Sequence, residues 1–234
     1  FQIIKSMQEE IKLINKNVQM SNFFKHFELR SKIITRVSQV ISSLCNSTIF
    51  KKSHWKQLSQ KIAPELFNEE LQLNKVFEIY CSNIEAEDSP LLKTRIRTTE
   101  DILSIANGQY VIEKYLNEVE IVWSDFKFVT FSDGKNTMIS KWQDYNEQIE
   151  EHASGITGLS SSPYYGEYSK RAEELKNKLN RLTEILDVWA DTQRKWIYLQ
   201  SVFSANASIV STYLSQVADK LNYANENFQQ IMLG

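Results

Sequence analysis

The chain has 234 residues, a formal net charge of −2, 42% hydrophobic and 24% charged residues, and only six glycines and three prolines. That charge is too even for a nucleic-acid-coating protein, which carries a strong basic excess, and the apolar content argues against wholesale disorder. No apolar run approaches the roughly 20 residues a bilayer crossing needs, and no signal peptide opens the chain.

Few breakers and abundant Leu, Ile, Lys, Glu and Gln predict a mainly α chain. It opens on Phe1 and reads as a piece of a longer protein. Cys45 and Cys81 form no disulfide framework; they read as reduced thiols of a cytosolic protein. The triplets Asn46-Ser47-Thr48 and Asn206-Ala207-Ser208 match a glycosylation pattern but, without a secretory signal, read as chance.

Ile3, Ile4, Met7, Ile11, Ile14 and Val18 recur at helical spacing, with Lys5, Glu9, Glu10, Lys12 and Lys16 on the other face. A second helix starting near Asn22 carries Phe23, Phe24, Phe27, Ile34, Val37, Ile41 and Leu44. Asn46-Ser47-Thr48 breaks it. A short helix follows over Lys51 to Ile62, ended by Pro64. Leu71 to Tyr80 fits helix or strand. Cys81 to Thr94 is polar, acidic and contains Pro90; it reads as an exposed loop. Thr98 followed by Asp101 resembles a helix start. From there to Trp123 runs a stripe of Ile102, Ile105, Tyr110, Ile112, Tyr115, Leu116, Val119 and Val122, with Gly108 inside it.

Phe126 to Phe131 and Thr137-Met138-Ile139 flank Ser132-Asp133-Gly134-Lys135-Asn136. Aromatic and β-branched residues around Asp-Gly predict a β-hairpin at about 126–140, because glycine supplies the positive φ of the turn. Such a hairpin is marginal alone and must lean on helices or on a partner. A helix from Trp142 to His152 follows, then the loose stretch Ser154 to Ser162 with Gly155 and Gly158. Pro163 suits the first turn of a helix running through Tyr168, Leu175, Leu179, Leu182, Leu186 and Trp189. A last helix begins near Ala207. No repeat of fixed period is present.

Chemistry is sparse. Gly134-Lys135 lies on the hairpin turn and not between strand and helix, so it is no phosphate loop. His26, His54 and His152 lack metal-ligand spacing. The pairs Glu9-Glu10, Glu69-Glu70, Glu150-Glu151 and Glu173-Glu174 diverge around their helices and read as solvated surface. No Ser/His/Asp set assembles. The chain is therefore read as no enzyme, with no catalytic, cofactor or metal residue. Its tryptophans, Trp55, Trp123, Trp142, Trp189 and Trp196, read as helix-packing core together with Tyr198 and Phe203. Trp189 and Trp196, seven apart with Gln193 between them, share one helix face and fit a seam between helices.

Several boxes, in order, resemble the tail–linker junction of cytoplasmic dynein heavy chains. His54-Trp55-Lys56-Gln57-Leu58 is similar to the family's HWKQL box. Gly108-Gln109 with Leu116 and Trp123, then Trp142 with Ile149 and His152, resemble the next two boxes. Ser162-Pro163-Tyr164-Tyr165, Lys178-Leu179-Asn180-Arg181 and the block from Trp189 to Phe203 complete the set. Cys81 to Pro90 looks like an insertion relative to animal dyneins, and Leu214-Ser215-Gln216-Val217 stands where the family shows Leu-Pro. Richness in Asn, Ser, Lys and Ile hints at a fungal source.

The resemblance implies an elongated multi-helix bundle rod with one inserted hairpin. Residues 1–50 would end the tail, and 51–234 would form the N-terminal part of the linker. The implied job is that of a lever, bending and straightening over a ring of AAA+ modules to turn ATP hydrolysis into minus-end-directed movement along microtubules. ATP and Mg would bind the ring and not this fragment, and the full-length protein would be the motor ATPase. The implied partners are the ring itself, and the microtubule and dynein subunits through other regions. A homodimer would form through the tail, in the cytoplasm and on the cytoskeleton, with neither nucleic acid nor membrane as partner. On this reading Asp133, Gly134 and Lys135 are the candidate ring contact, and Gly155 and Gly158 the candidate flexible point. The alternative is a passive helical scaffold joining the cargo-binding tail to the motor. Sustained heptads would favour it; the hairpin and irregular breaks do not.

Overall fold

A computed structural model describes residues 6, 9–10, 22–45, 48–64, 73–84, 86, 89–132, 137–206 and 215–233. Among the described residues the elements are α1 (Asn22–Leu44), α2 (Lys52–Lys61), α3 (Leu73–Cys81), α4 (Pro90–Ser124), β1 (Thr130–Ser132), β2 (Thr137–Ile139), α5 (Trp142–Leu159), α6 (Ser169–Ala205) and α7 (Ser215–Leu233). A 3-10 turn over Tyr165–Glu167 precedes α6. The fold is mainly α with one antiparallel hairpin, as the sparse glycine and proline predict. The chain divides into two compact units, Phe1–Glu113 and Lys114–Gly234, the division falling within α4.

In the first unit α1 packs against α3. Its core draws Ile33, Val37, Ile41 and Leu44 from α1, Leu58 from α2, Val76 and Tyr80 from α3, and Leu92, Ile96, Ile102 and Ala106 from α4. On α1 and α3 these recur at three- and four-residue steps, and on α4 buried Thr99 bridges the gap between Ile96 and Ile102, so one stripe of each faces inward. On α1 the inward stripe leaves Phe27 and Ile34 exposed. Ile33 and Val40 take part in it instead.

One polar pair is sealed in that core. Tyr80 is fully buried, and its Oη lies 2.6 Å from Thr99 Oγ1. Thr99 spends its one hydroxyl proton on the Arg95 carbonyl, 2.8 Å away, so the phenol donates to Thr99. Arg95 Nη1 in turn donates to the carbonyls of Tyr80 at 3.2 Å and Ser82 at 2.9 Å. Those groups at the end of α3 lack intrahelical donors. Asn83, with φ of 59°, takes the left-handed conformation that commonly closes a helix.

In the second unit α5 packs along α6, and β2 rests against α7. The hairpin register pairs Thr130 with Ile139, Phe131 with Met138 and Ser132 with Thr137. Lys141 enters α5 in the left-handed region, with φ of 58°.

Four expectations are corrected. The helix expected from Thr98 begins at Pro90, where proline's fixed φ suits a first helical position; the carbonyl of Ser89 accepts from the Lys93 N–H at 3.1 Å. Val122, expected in its apolar stripe, is exposed. The helix expected to stop at His152 runs on to Leu159, through both Gly155 and Gly158. Pro163 does not open α6. Bonds from the N–H groups of Ser160, Ser161 and Ser162 to the carbonyls of Thr157, Gly158 and Leu159 close α5 in a tight turn, and α6 starts only at Ser169. The ambiguous segment at Leu71 to Tyr80 is helical from Leu73. The first expected helix lies outside the described residues save Ser6, Glu9 and Glu10, which are helical, and the start near Ala207 lies outside them too.

Burial pushes the Tyr80 phenol up to about 12 from an ordinary 10.0. Its neutral form thus supports the fold in full below pH 10, and that support is lost as pH rises through about 12. Absorbance titration at 295 nm should show a late-ionising tyrosine that Tyr80→Phe abolishes, and circular dichroism should show alkaline unfolding of wild type in the same window.

Candidate functional site

The described residues hold no group of three or more His, Cys, Asp or Glu placed to bind a metal ion. None of their helices is long and apolar enough to cross a membrane. The best-built feature is the junction of α6 and α7 with the hairpin. Along α6, Leu186, Trp189, Gln193 and Trp196 stand on one face at steps of three and four residues. Gln193 is only 6% exposed. Its Oε1 accepts the Ile139 N–H at 3.0 Å, and its Nε2 donates to the Ile139 carbonyl at 2.9 Å. A single side-chain amide thus supplies the donor and acceptor that a neighbouring strand would offer to the edge of β2.

Aromatic stacking holds α7 beside that clasp. Phe228 is buried between the two indoles, 5.2 Å from Trp189 at 14° and 4.1 Å from Trp196 at 20°. Gln200 Nε2 donates to Asn225 Oδ1 at 2.8 Å and ties the same two helices. The indole N–H groups of Trp189 and Trp196 are buried and have no acceptor among the described residues.

A second set fixes the approach to β1. The Val129 N–H donates to Tyr145 Oη at 2.7 Å, and the Ser140 N–H and Oγ donate to the Val129 carbonyl at 2.9 and 3.0 Å. Phe126 and Phe128 were expected in the strand. They lie before it and pack edge-on with each other and with Tyr145. Trp123 meets Phe126 at 4.6 Å between ring centroids, and its Nε1–H donates to His152 Nδ1 at 2.8 Å. Further along, Arg171 forks onto Glu120 at 3.0 and 2.5 Å and also donates to Asn117 Oδ1 at 2.6 Å. That guanidinium holds the Glu120 carboxyl below its usual 4.5.

In the first unit His54 is 1% exposed. Its Nδ1 accepts the Lys51 N–H at 3.0 Å, so the ring proton sits on Nε2 and donates to Gln109 Oε1 at 2.8 Å. The Lys51 ammonium pairs with Glu113. Phe50 packs edge-on against Trp55, 5.0 Å apart.

The sequence-chosen residues fall as follows. Asp133, Gly134 and Lys135 lie outside the described residues. Gly155 and Gly158 sit within α5, not in a loop. Trp196 is buried, and Trp55, Trp123, Trp142, Trp189 and Phe203 are half-buried. Tyr198 is corrected: it is 67% exposed, because two residues beyond Trp196 is a turn of about 200°, to the opposite side of the helix. Tyr145, Phe228, Arg171 and Glu120 were not singled out. Nothing in their spacing marks them; Phe228 and Arg171 find their partners 25 or more residues away.

Gln193→Leu leaves both Ile139 backbone groups unpaired and should cost about 2 kcal/mol. Hydrogen exchange should read it as faster exchange at the Ile139 amide, with little change in the middle of α5. Trp196→Ala and Phe228→Ala should each cost about 3–5 kcal/mol, and the double variant less than their sum, because both remove one stack; denaturant melts check this. The Glu120–Arg171 tie contributes fully above the ordinary carboxylate value and vanishes as pH falls through the lowered one. With Glu120 44% exposed, Glu120→Gln should remove well under about 1 kcal/mol, and the gap between the two proteins should close in acid.

The sequence matches the family described as dynein heavy chain, N-terminal region 2, over residues 2–234. It is 26% identical over 209 residues to a cytoplasmic dynein heavy chain of Drosophila melanogaster, covering 89% of this chain and 4% of that protein. It is 29% identical over 189 residues to the cytoplasmic dynein heavy chain of Fusarium vanettenii, covering 80% of this chain and 4% of that one. Dynein axonemal heavy chain 6 of Homo sapiens is 26% identical over 198 residues, covering 82% and 4%. The chain thus spans about 4% of the length of these relatives, and animal and fungal proteins match at similar identity. With a match that runs from residue 2 to residue 234, the chain belongs to the dynein heavy chain, N-terminal region 2 family.

Proposed function

We propose that this chain is a force-transmitting segment of a cytoplasmic dynein motor, the lever that moves over the AAA+ ring. The observation that carries the reading is the double hydrogen bond between Gln193 and Ile139, set beside the Trp189–Phe228–Trp196 stack in a chain of this family. A lever must not yield within itself. Here a hairpin that would be weak alone is bonded at Ile139 by the Gln193 side chain of α6, and stacked rings hold α7 to that same helix. Long stiff helices serve the same end. The helix α4 has 35 residues and α6 has 37, about 50 and 55 Å at 1.5 Å per residue.

On this reading residues 1–50 belong to the end of the tail, and 51–234 to the N-terminal part of the linker. ATP and Mg would be bound by ring modules elsewhere in the heavy chain, which would supply the hydrolysis; the residues described above move and hold, and take part in no bond-breaking step. The hairpin tip, Asp133 to Lys135, would face the ring. Microtubule, accessory subunits and a second heavy chain would be reached through other regions, in the cytoplasm.

The test is a single-headed motor in which Lys51 to Gly234 is replaced by an inert helical spacer. Gliding of microtubules should collapse to a small fraction of the control rate while ATP hydrolysis persists. If both stay near normal, the segment is a passive scaffold and the lever reading fails.

A further inference from the structure

Gly155 and Gly158 both lie in α5, three residues apart, with neither in the left-handed region. Their backbone conformation does not require glycine, yet their surroundings differ sharply. A Cβ added at Gly158 meets nothing within 4 Å. A Cβ added at Gly155 would overlap Tyr115 Oη outright and stand 2.6 Å from its Cζ and 3.2 Å from its Cε1. The end of the half-buried Tyr115 ring, carried by α4, thus occupies the space that a side chain at residue 155 would take. Leu116 and Val119 beside it on α4, and Ile149 and Ile156 on α5, are buried. Burial, with the carboxylates of Glu151 and Glu118 nearby, raises the Tyr115 phenol above its ordinary value.

The geometry points to Tyr115 and Gly155 as a register key: the ring in the notch fixes where α4 stands along α5, so that force entering one helix moves the other without slip. Gly155 is then a stiffening point and not a flexible one. The mechanical half of this inference rests on the lever reading above; the key itself stands on packing. Tyr115 and Gly155 are positioning residues and touch no nucleotide.

The experiment uses the intact motor with Gly155→Ala, Tyr115→Ala, the double variant, and Gly158→Ala as control. It is read by hydrogen exchange over 114–124 and 149–159, by microtubule gliding and by ATPase rate. Gly158→Ala should slow exchange in α5 roughly fivefold, the ordinary helix preference of alanine. Gly155→Ala should do the opposite, speeding exchange in both segments about tenfold or more. In the Tyr115→Ala background the same change should reverse sign and again protect α5. If Gly155→Ala proves insoluble, the soluble double variant carries the test, since removing the ring should restore folding. Protection by Gly155→Ala in both backgrounds, or failure of the double variant to fold, overturns the key. Inversion of the exchange effect with gliding cut severalfold at near-normal ATPase supports the whole inference. Inversion with unchanged gliding leaves the notch as packing and overturns its role in transmitting force.

Discussion

The arrangement of the second unit depends on a hairpin that cannot stand alone. Two strands of three residues, Thr130–Ser132 and Thr137–Ile139, bury too little to hold themselves together in water. Their outer edge would also invite pairing with other chains. Gln193 meets both needs with one side chain, because an amide carries a donor and an acceptor at nearly the spacing of a peptide group. A leucine there would pack as well but leave the strand edge unpaired. The stack of Phe228 between Trp189 and Trp196 then fixes α7 against the same helix face that presents the glutamine, so clasp and stack constrain one another.

The residues that carry the family resemblance turn out to be partners in space. His54, from the first box, bonds to Gln109, from the second. Trp123, from the second, bonds to His152, from the third. Gln193 stands between two tryptophans of the last and reaches back to the hairpin. Each is a polar or aromatic group wholly or partly buried at a contact between elements, where an unmade hydrogen bond costs far more than a made one contributes. Such pairs specify one packing out of several that apolar stripes alone would allow. On the lever reading proposed above, a segment that holds its form under load has a use for that specificity.

Much of the architecture was legible. Apolar spacing marked α1, α2 and the long α4. Asp-Gly between aromatic runs marked the hairpin, and the seven-residue spacing of Trp189 and Trp196 marked their shared face. Element ends were harder. Pro90 was read as a loop residue although it opens α4, and Pro163 as a helix opener although it lies in a turn; proline is compatible with both, and the neighbouring carbonyls decide. Gly155 illustrates the limit. Two glycines among serines suggest looseness, yet the chain there is helical and one glycine is closely packed by Tyr115.

The sequence by itself determined that this is a mainly helical chain with one hairpin, and to which family it belongs, because composition, periodicity and ordered boxes are local or linear signals. Only the tertiary structure decided which glycine is a notch, which tryptophans stack on Phe228 and where Gln193 spends its two hydrogen bonds. Those outcomes depend on contacts between residues 25 to 54 positions apart, which helical or strand period does not encode; they are set when several amphipathic faces compete for the same buried space and must pair the polar groups they enclose.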